Sequence, residues 1–199
     1  MRTRWRRCVA VILTTGSISS TYGANSAAPA CLAEPPTDAA QLIAELALEP
    51  GDKLGYREVV SHPALAEPEV ATGTVFVAED GALVRDQVTP RRQISEIGET
   101  MLATRSAPGA GPTLYPIPQE ARPLLLALRR LMAGDAAAIA TEFATGLAAG
   151  EKGWRLDLRP RGEASGPSLV ARGCGGDLAA VEITGRDGVR RRLAFSRAE

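Results

Sequence analysis

The chain has 199 residues, enough for one domain with a real core, and 45% of them are hydrophobic while only 4% are aromatic, so that core must be aliphatic. The formal charge is zero, but Arg2, Arg4, Arg6 and Arg7 open the chain; the remainder carries 19 basic against 23 acidic residues, a net of −4. A mildly acidic body argues against nucleic acid or an anionic membrane as a partner, and His62, the only histidine, leaves no material for a histidine-built metal site or catalytic triad.

Residues 1–30 read as a secretory signal. Arg2 to Arg7 form a basic start, Cys8 to Leu13 an apolar stretch too short to span a bilayer, and Ala28-Pro29-Ala30 a cleavage site of small residues. The expected mature protein is a single domain over 31–199, soluble in an extracytoplasmic space. Cys31 is then its first residue. It is a lipid attachment site, although Ala28 stands where such signals usually carry a leucine, or the partner of Cys174, the other mature cysteine, in an oxidising compartment, or one of two free, buried thiols.

The mature chain opens with an amphipathic helix, Asp38 to Leu48, whose stripe is Leu42, Ile43 and Leu46, with Asp38 and Gln41 spaced as a capping box. Short strands follow at Leu54–Ser61, Val70–Ala78, Ala82–Val88, Arg91–Ile97 and Thr100–Arg105, separated by turns such as Glu79-Asp80-Gly81 and Thr89-Pro90. This spacing predicts an antiparallel meander. Residues 106–118 read as a loop rich in Pro and Gly.

Ala121 to Gly146 is the clearest helical stretch. Leu124, Leu125, Leu128, Leu131 and Met132 recur at helical spacing, with Arg122, Arg129 and Arg130 on the other side. Pro123 suits a first turn, Gly134 ends this helix, and Asp135 caps a second, alanine-rich helix running to Gly146. Strands then resume: Trp154, Leu156 and Leu158 alternate with Arg155, Asp157 and Arg159, and three more cover Ser168–Arg172, Leu178–Thr184 and Val189–Phe195.

Nothing in this order is organised for catalysis. His62 precedes a proline at a strand end and reads as a loop residue. Gly173-Cys174-Gly175-Gly176 lacks the Lys-Ser/Thr ending of a phosphate loop, and Arg190-Arg191-Arg192 reads as a solvated strand edge. The expectation is therefore a binding protein without enzymatic activity and without cofactor or metal. Its fold class is α+β, a curved sheet forming an incomplete antiparallel β-barrel with an N-terminal helix and a central helical lid.

The order of elements resembles the LolA/LolB-like periplasmic lipoprotein carriers, most of all their divergent LolA-like branch. The residues that carry the resemblance are Tyr56-Arg57-Glu58 in the first strand, Gly73-Thr74-Val75-Phe76-Val77, Gln87-Val88-Thr89-Pro90, the Leu-rich helix running into Ala133-Gly134-Asp135, Trp154 to Pro160, and the Asp187-Gly188 turn before the last strand. The resemblance implies a monomeric carrier that shields acyl chains of lipoproteins or of other lipid-like cargo on their way toward the outer membrane, with an inner-membrane donor complex and an outer-membrane acceptor as partners. The alternatives are a LolB-like membrane-anchored acceptor and an envelope interaction protein without a cavity. In the family an arginine in an Arg-Pro context near the second hairpin helps latch the lid; here that turn is Glu79-Asp80-Gly81, with neither residue. The expected cavity lining is Leu124, Leu125, Leu128 and Leu131 from the lid and Phe76, Leu83, Ile94 and Leu102 from the sheet. A charge at Leu128 is expected to abolish cargo binding and leave the fold largely intact.

Overall fold

A computed structural model describes residues 31–49, 51–162 and 167–197. The signal-like segment lies outside the described residues. The elements are α1 (Ala39–Glu45), β1 (Leu54–Ser61), β2 (Glu69–Val77), β3 (Leu83–Thr89), β4 (Gln93–Ile97), β5 (Met101–Arg105), β6 (Thr113–Pro116), α2 (Arg122–Met132), α3 (Ala136–Glu142), β7 (Phe143–Gly150), β8 (Gly153–Pro160), β9 (Ser168–Cys174), β10 (Asp177–Thr184) and β11 (Arg190–Arg197).

All eleven strands join one antiparallel sheet in the order β6-β5-β4-β3-β2-β1-β11-β10-β9-β8-β7. Each half is a meander of neighbours in sequence, and the halves meet where β1 pairs β11, from Leu54 opposite Arg197 to Ser61 opposite Arg190. The sheet does not close: β6 and β7 are its two edges, and the chain between them is α2 and α3. The structure is thus the expected incomplete barrel with helices on its inner face.

Strand alternation decides which side chains face the helices. Along one cross-strand row Glu58, Leu193, Val181, Ala171, Leu156 and Leu147 stand opposite one another. Most of this row is buried, and with Leu158, Leu169, Ile183 and Trp154 it forms the floor of the core. The helices supply the roof: Leu42 and Ile43 from α1, Leu124, Ala127, Leu128, Leu131 and Met132 from α2, and Ile139 from α3.

Local chemistry fixes the helix ends. The Asp38 carboxylate accepts the Ala40 N–H at the start of α1, but Gln41 bonds Glu45 one turn on and does not return to the cap. Asp135 caps α3 by accepting the Ala138 N–H. Gly134 takes a φ of +69° between α2 and α3, and a Cβ there would stand 2.7 Å from the Ala47 side chain. Only glycine lets the α2–α3 corner sit against α1.

Two segments depart from expectation. Thr113–Pro116 is the short edge strand β6, not loop, and its Leu114 and Tyr115 are exposed. The alanine-rich helix stops at Glu142, and Phe143–Gly150 turns directly into edge strand β7. Alanine's helix propensity of a few tenths of a kcal/mol per residue yields there to a full ladder of pairing with β8 and to the burial of Phe143. Cys31 and Cys174 are joined by a disulfide with a Cα–Cα distance of 5.6 Å, which fastens the segment before α1 to the end of β9. A sulfur held in this bond is not available for lipid attachment.

Candidate functional site

The concave face of the sheet has two characters. Under the helices it is apolar and tightly packed: Leu131, Leu156, Leu158 and Leu169 are fully buried. Toward the other end of β1–β3 it is polar. Glu58, 3% exposed, is the one buried charged residue among the described residues, and arginines hold it from two sides. Arg85 pairs with one of its carboxylate oxygens, and Arg191 donates to the other at 3.1 Å. Arg85 also donates to the Tyr56 hydroxyl at 2.6 Å and to the Gln87 side-chain carbonyl at 2.9 Å, and its guanidinium lies 4.8 Å from the centre of the Tyr56 ring. Burial raises the Tyr56 pKa above the usual phenol value, and the neighbouring Arg85 charge partly offsets this. The Tyr56-Arg57-Glu58 segment therefore places Tyr56 and Glu58 inward and Arg57 outward.

Helix α2 is tied to the sheet rim by its arginines. Arg129 donates to the Gly81 carbonyl at 2.6 Å and pairs with Glu99. Arg130 pairs with Glu142 and approaches Glu99 at 3.8 Å. The β2–β3 turn thus offers a backbone carbonyl to an arginine of α2.

Two clefts flank the helices. One of about 570 Å³ lies at the open seam between the sheet edges, where Leu126, Phe143, Pro123 and Pro160 meet Arg122, Arg130 and Arg161. The other, about 790 Å³, lies between the segment after α1 and the adjoining ends of β1, β10 and β11. Its apolar lining is Leu46, Leu48, Leu54, Met132, Leu178 and Phe195; its charges are Glu45, Asp52, Lys53, Asp177 and Arg197. Leu48, Leu54, Leu178 and Phe195 are only partly buried and pack directly on the core. The Leu48 N–H donates to the Met132 carbonyl at 2.9 Å, which joins the cleft wall to the end of α2.

The residues expected to line a cavity divide between the faces. Leu124, Leu128 and Leu131 face the sheet and are buried in the packed core, with Leu125 partly buried against it. Leu83 and Leu102 also face inward. Phe76 and Ile94 do not. Phe76 stands opposite Val84, and Ile94 opposite Asp86 and Arg105, on the outer face. Lys53 covers the Phe76 ring at 5.1 Å. Their inward neighbours are Val75 and Val77, and Ser95. A one-residue choice of phase separates the two sets. Leu128, 6% exposed, is a poor place for a charge that spares the fold, since an unpaired ion there costs several kcal/mol. Sequence reasoning missed the α1–β11 cleft, because its lining comes from segments far apart in the chain.

His62 is exposed and its Nδ1 accepts the Ala64 N–H within its own turn. Among the described residues no group of three or more His, Cys, Asp or Glu is placed to hold a metal ion, and no helix is long and apolar enough to cross a membrane.

No family model matches the chain, and no curated protein matches it in sequence. Solved structures to which it is similar include a chain of the MucA/MucB complex of Pseudomonas aeruginosa, at 15% identity and a TM-score of 0.40, covering 79% of this chain and 54% of that one. Another is a LolA superfamily protein. That structure, from Nitrosomonas europaea, is 9% identical with a TM-score of 0.39, covering 78% of this chain and 89% of that one. LprF from Mycobacterium bovis is 11% identical with a TM-score of 0.35, covering 81% and 93%. The chain spans about half the length of the MucA/MucB chain it matches.

Proposed function

We propose that this protein is a LolA-like periplasmic carrier, not an enzyme, that shelters acyl chains of lipoproteins or of other lipid-like cargo during transfer toward the outer membrane. The observation that carries the reading is the cleft of about 790 Å³ whose apolar lining is continuous with the core and with the end of α2. Its volume lies within the range of pockets that take small apolar ligands.

The energetics support a lid that yields to cargo. Lifting α2 exposes Leu124, Leu128, Leu131 and Met132, which at about 1.5–3 kcal/mol per side chain costs roughly 6–12 kcal/mol. A long acyl chain leaving water gains on the order of 10 kcal/mol, at about 0.8 per methylene. The two are comparable, so an entering chain can replace the contacts of the helix. The open seam between β6 and β7 leaves the sheet free to accommodate it. The Cys31–Cys174 bond suits an oxidising compartment and a carrier that is not anchored through Cys31.

Native mass spectrometry of the protein released from its own envelope without detergent tests this reading. The expected result is an added mass that dissociates as acyl-chain species and is lost in Leu178→Asp, a half-buried cleft position, while the near-ultraviolet circular dichroism is unchanged. A bare polypeptide in every preparation, with a protein partner stably co-purified, refutes it. That outcome favours the second reading, an envelope interaction module, which has in its favour the close packing of Leu131 and Met132 against the sheet.

A further inference from the structure

The convex face of the sheet, opposite the helices, is predominantly basic over half its width. On β1 and β8–β11 the outward positions carry Arg57, Arg155, Arg159, Arg172, Arg190 and Arg192, all exposed. They fall in cross-strand rows. Arg57, Ala194, Ala180, Arg172 and Arg155 face one another in sequence across five strands. The next row is Val59, Arg192, Glu182, Val170 and Asp157, and the third joins Ser61, Arg190, Thr184 and Ser168. Adjacent strands lie about 4.8 Å apart, so the charge is spread over a band roughly 20 Å wide.

Only two acids stand among these arginines. Asp157 is taken by Arg155, with contacts of 2.6 and 2.8 Å, and Glu182 stands 3.9 Å from Arg172. Arg57, Arg159, Arg190 and Arg192 form no ion pair among the described residues. A chain whose body is net negative has thus gathered on half of one face six arginines against two acids, four of the arginines outside any ion pair among the described residues.

We propose that this face docks on a surface of anionic lipid headgroups. A folded protein partner is held by a desolvated apolar or aromatic centre ringed by polar contacts. This face has no such centre: the cleft of about 530 Å³ on it is lined by Arg57, Arg190, Arg192, Glu182 and three small or aliphatic residues. A layer of phosphates requires only positive charge spread over a gently curved surface. Guanidinium groups suit it, because their planar fork bonds phosphate oxygens two at a time. The helices and the α1–β11 cleft then face away from or along the membrane, which leaves the cleft accessible while the carrier is docked. The proposal concerns the opposite side of the sheet from the cargo reading and stands whether or not cargo is bound.

The test compares the wild type with Arg57→Gln/Arg190→Gln/Arg192→Gln in sedimentation with vesicles of phosphatidylglycerol and phosphatidylcholine. A control, Arg91→Gln/Arg122→Gln/Arg197→Gln, removes the same charge elsewhere, and all three proteins share one N-terminus. Each arginine near an anionic surface is worth about fivefold in partitioning, so the face variant should bind on the order of a hundredfold more weakly at low salt, and the control within about fivefold of wild type. Binding to pure phosphatidylcholine should be absent, and salt should abolish the difference. Equal loss in the face variant and the control means net charge alone acts and overturns the proposal. So does wild-type binding that the face variant retains. Unchanged vesicle binding with loss of a co-purifying protein would assign the face to an acidic protein instead.

Discussion

Replacing Arg129 by alanine should loosen the lid without unfolding the sheet. The side chain makes a charged hydrogen bond to the Gly81 carbonyl and an ion pair with Glu99. A hydrogen bond from a charged donor contributes about 1.5–3 kcal/mol. The lower end applies, because Gly81 sits in a turn where water can replace the guanidinium. The Glu99 carboxylate is 56% exposed, so its pairing adds no more than about 1 kcal/mol. The sum is about 2 kcal/mol, or roughly a thirtyfold rise in the population of the opened helix. Amide hydrogen exchange followed by mass spectrometry reads this directly. Peptides covering 124–132 should exchange about thirtyfold faster, while those covering β8–β10 keep their protection. Glu99→Gln, which removes the ion pair alone, should change the same peptides by less than about fivefold. Two results would sink the reasoning. If Arg129→Ala does no more than Glu99→Gln, the Gly81 bond is not holding the helix. If lid and sheet peptides accelerate together, α2 opens only by global unfolding and is not a lid.

Two further outcomes follow from the concave face. At Gly173 an added Cβ would meet the Asp177 carbonyl at 2.0 Å and the Trp154 ring at 2.4 Å, so Gly173→Ala should cost about 3 kcal/mol or more, seen as a lowered urea midpoint with altered tryptophan emission; an unchanged midpoint contradicts the packing described. Tyr56 keeps its proton to higher pH in the folded state than in the unfolded chain, so its contribution is complete below about pH 10 and is lost as pH rises through the folded value. Urea midpoints of the wild type should therefore fall more steeply between about pH 9.5 and 11 than those of Tyr56→Phe, and parallel curves would remove Tyr56 as the cause.

The parts of the fold legible in the sequence were those with a strong period. Alternation in Trp154 to Pro160 and leucine spacing in Arg122 to Met132 each fix an element and its buried side. β7 was not legible, because alanine and glycine carry no phase and its partner β8 decides its conformation. β6 was not, because a four-residue edge strand with exposed side chains has no pattern to show. At Phe76 the alternation was visible but not its direction: the aromatic ring went outward under Lys53, and the smaller Val75 went in. The distribution of charge was hidden for a related reason. Net charge is a sum over the chain, whereas the arginines of β1, β8, β9 and β11 become one surface only after the strands are paired. The disulfide was one of three readings of Cys31, and only the folded chain brings it within 5.6 Å, Cα to Cα, of Cys174.

The pairing of β1 with β11 has a consequence for how the molecule is made. Leu54 and Arg197, from the first and the last strand, lie side by side in the middle of the sheet. Each meander can form from neighbours in sequence, but neither half has a complete core until the last strand has left the ribosome and found the first. Each meander can thus assemble early from its own neighbours, and the junction of β1 with β11, far apart in sequence and central in the sheet, is the late and slow contact of folding.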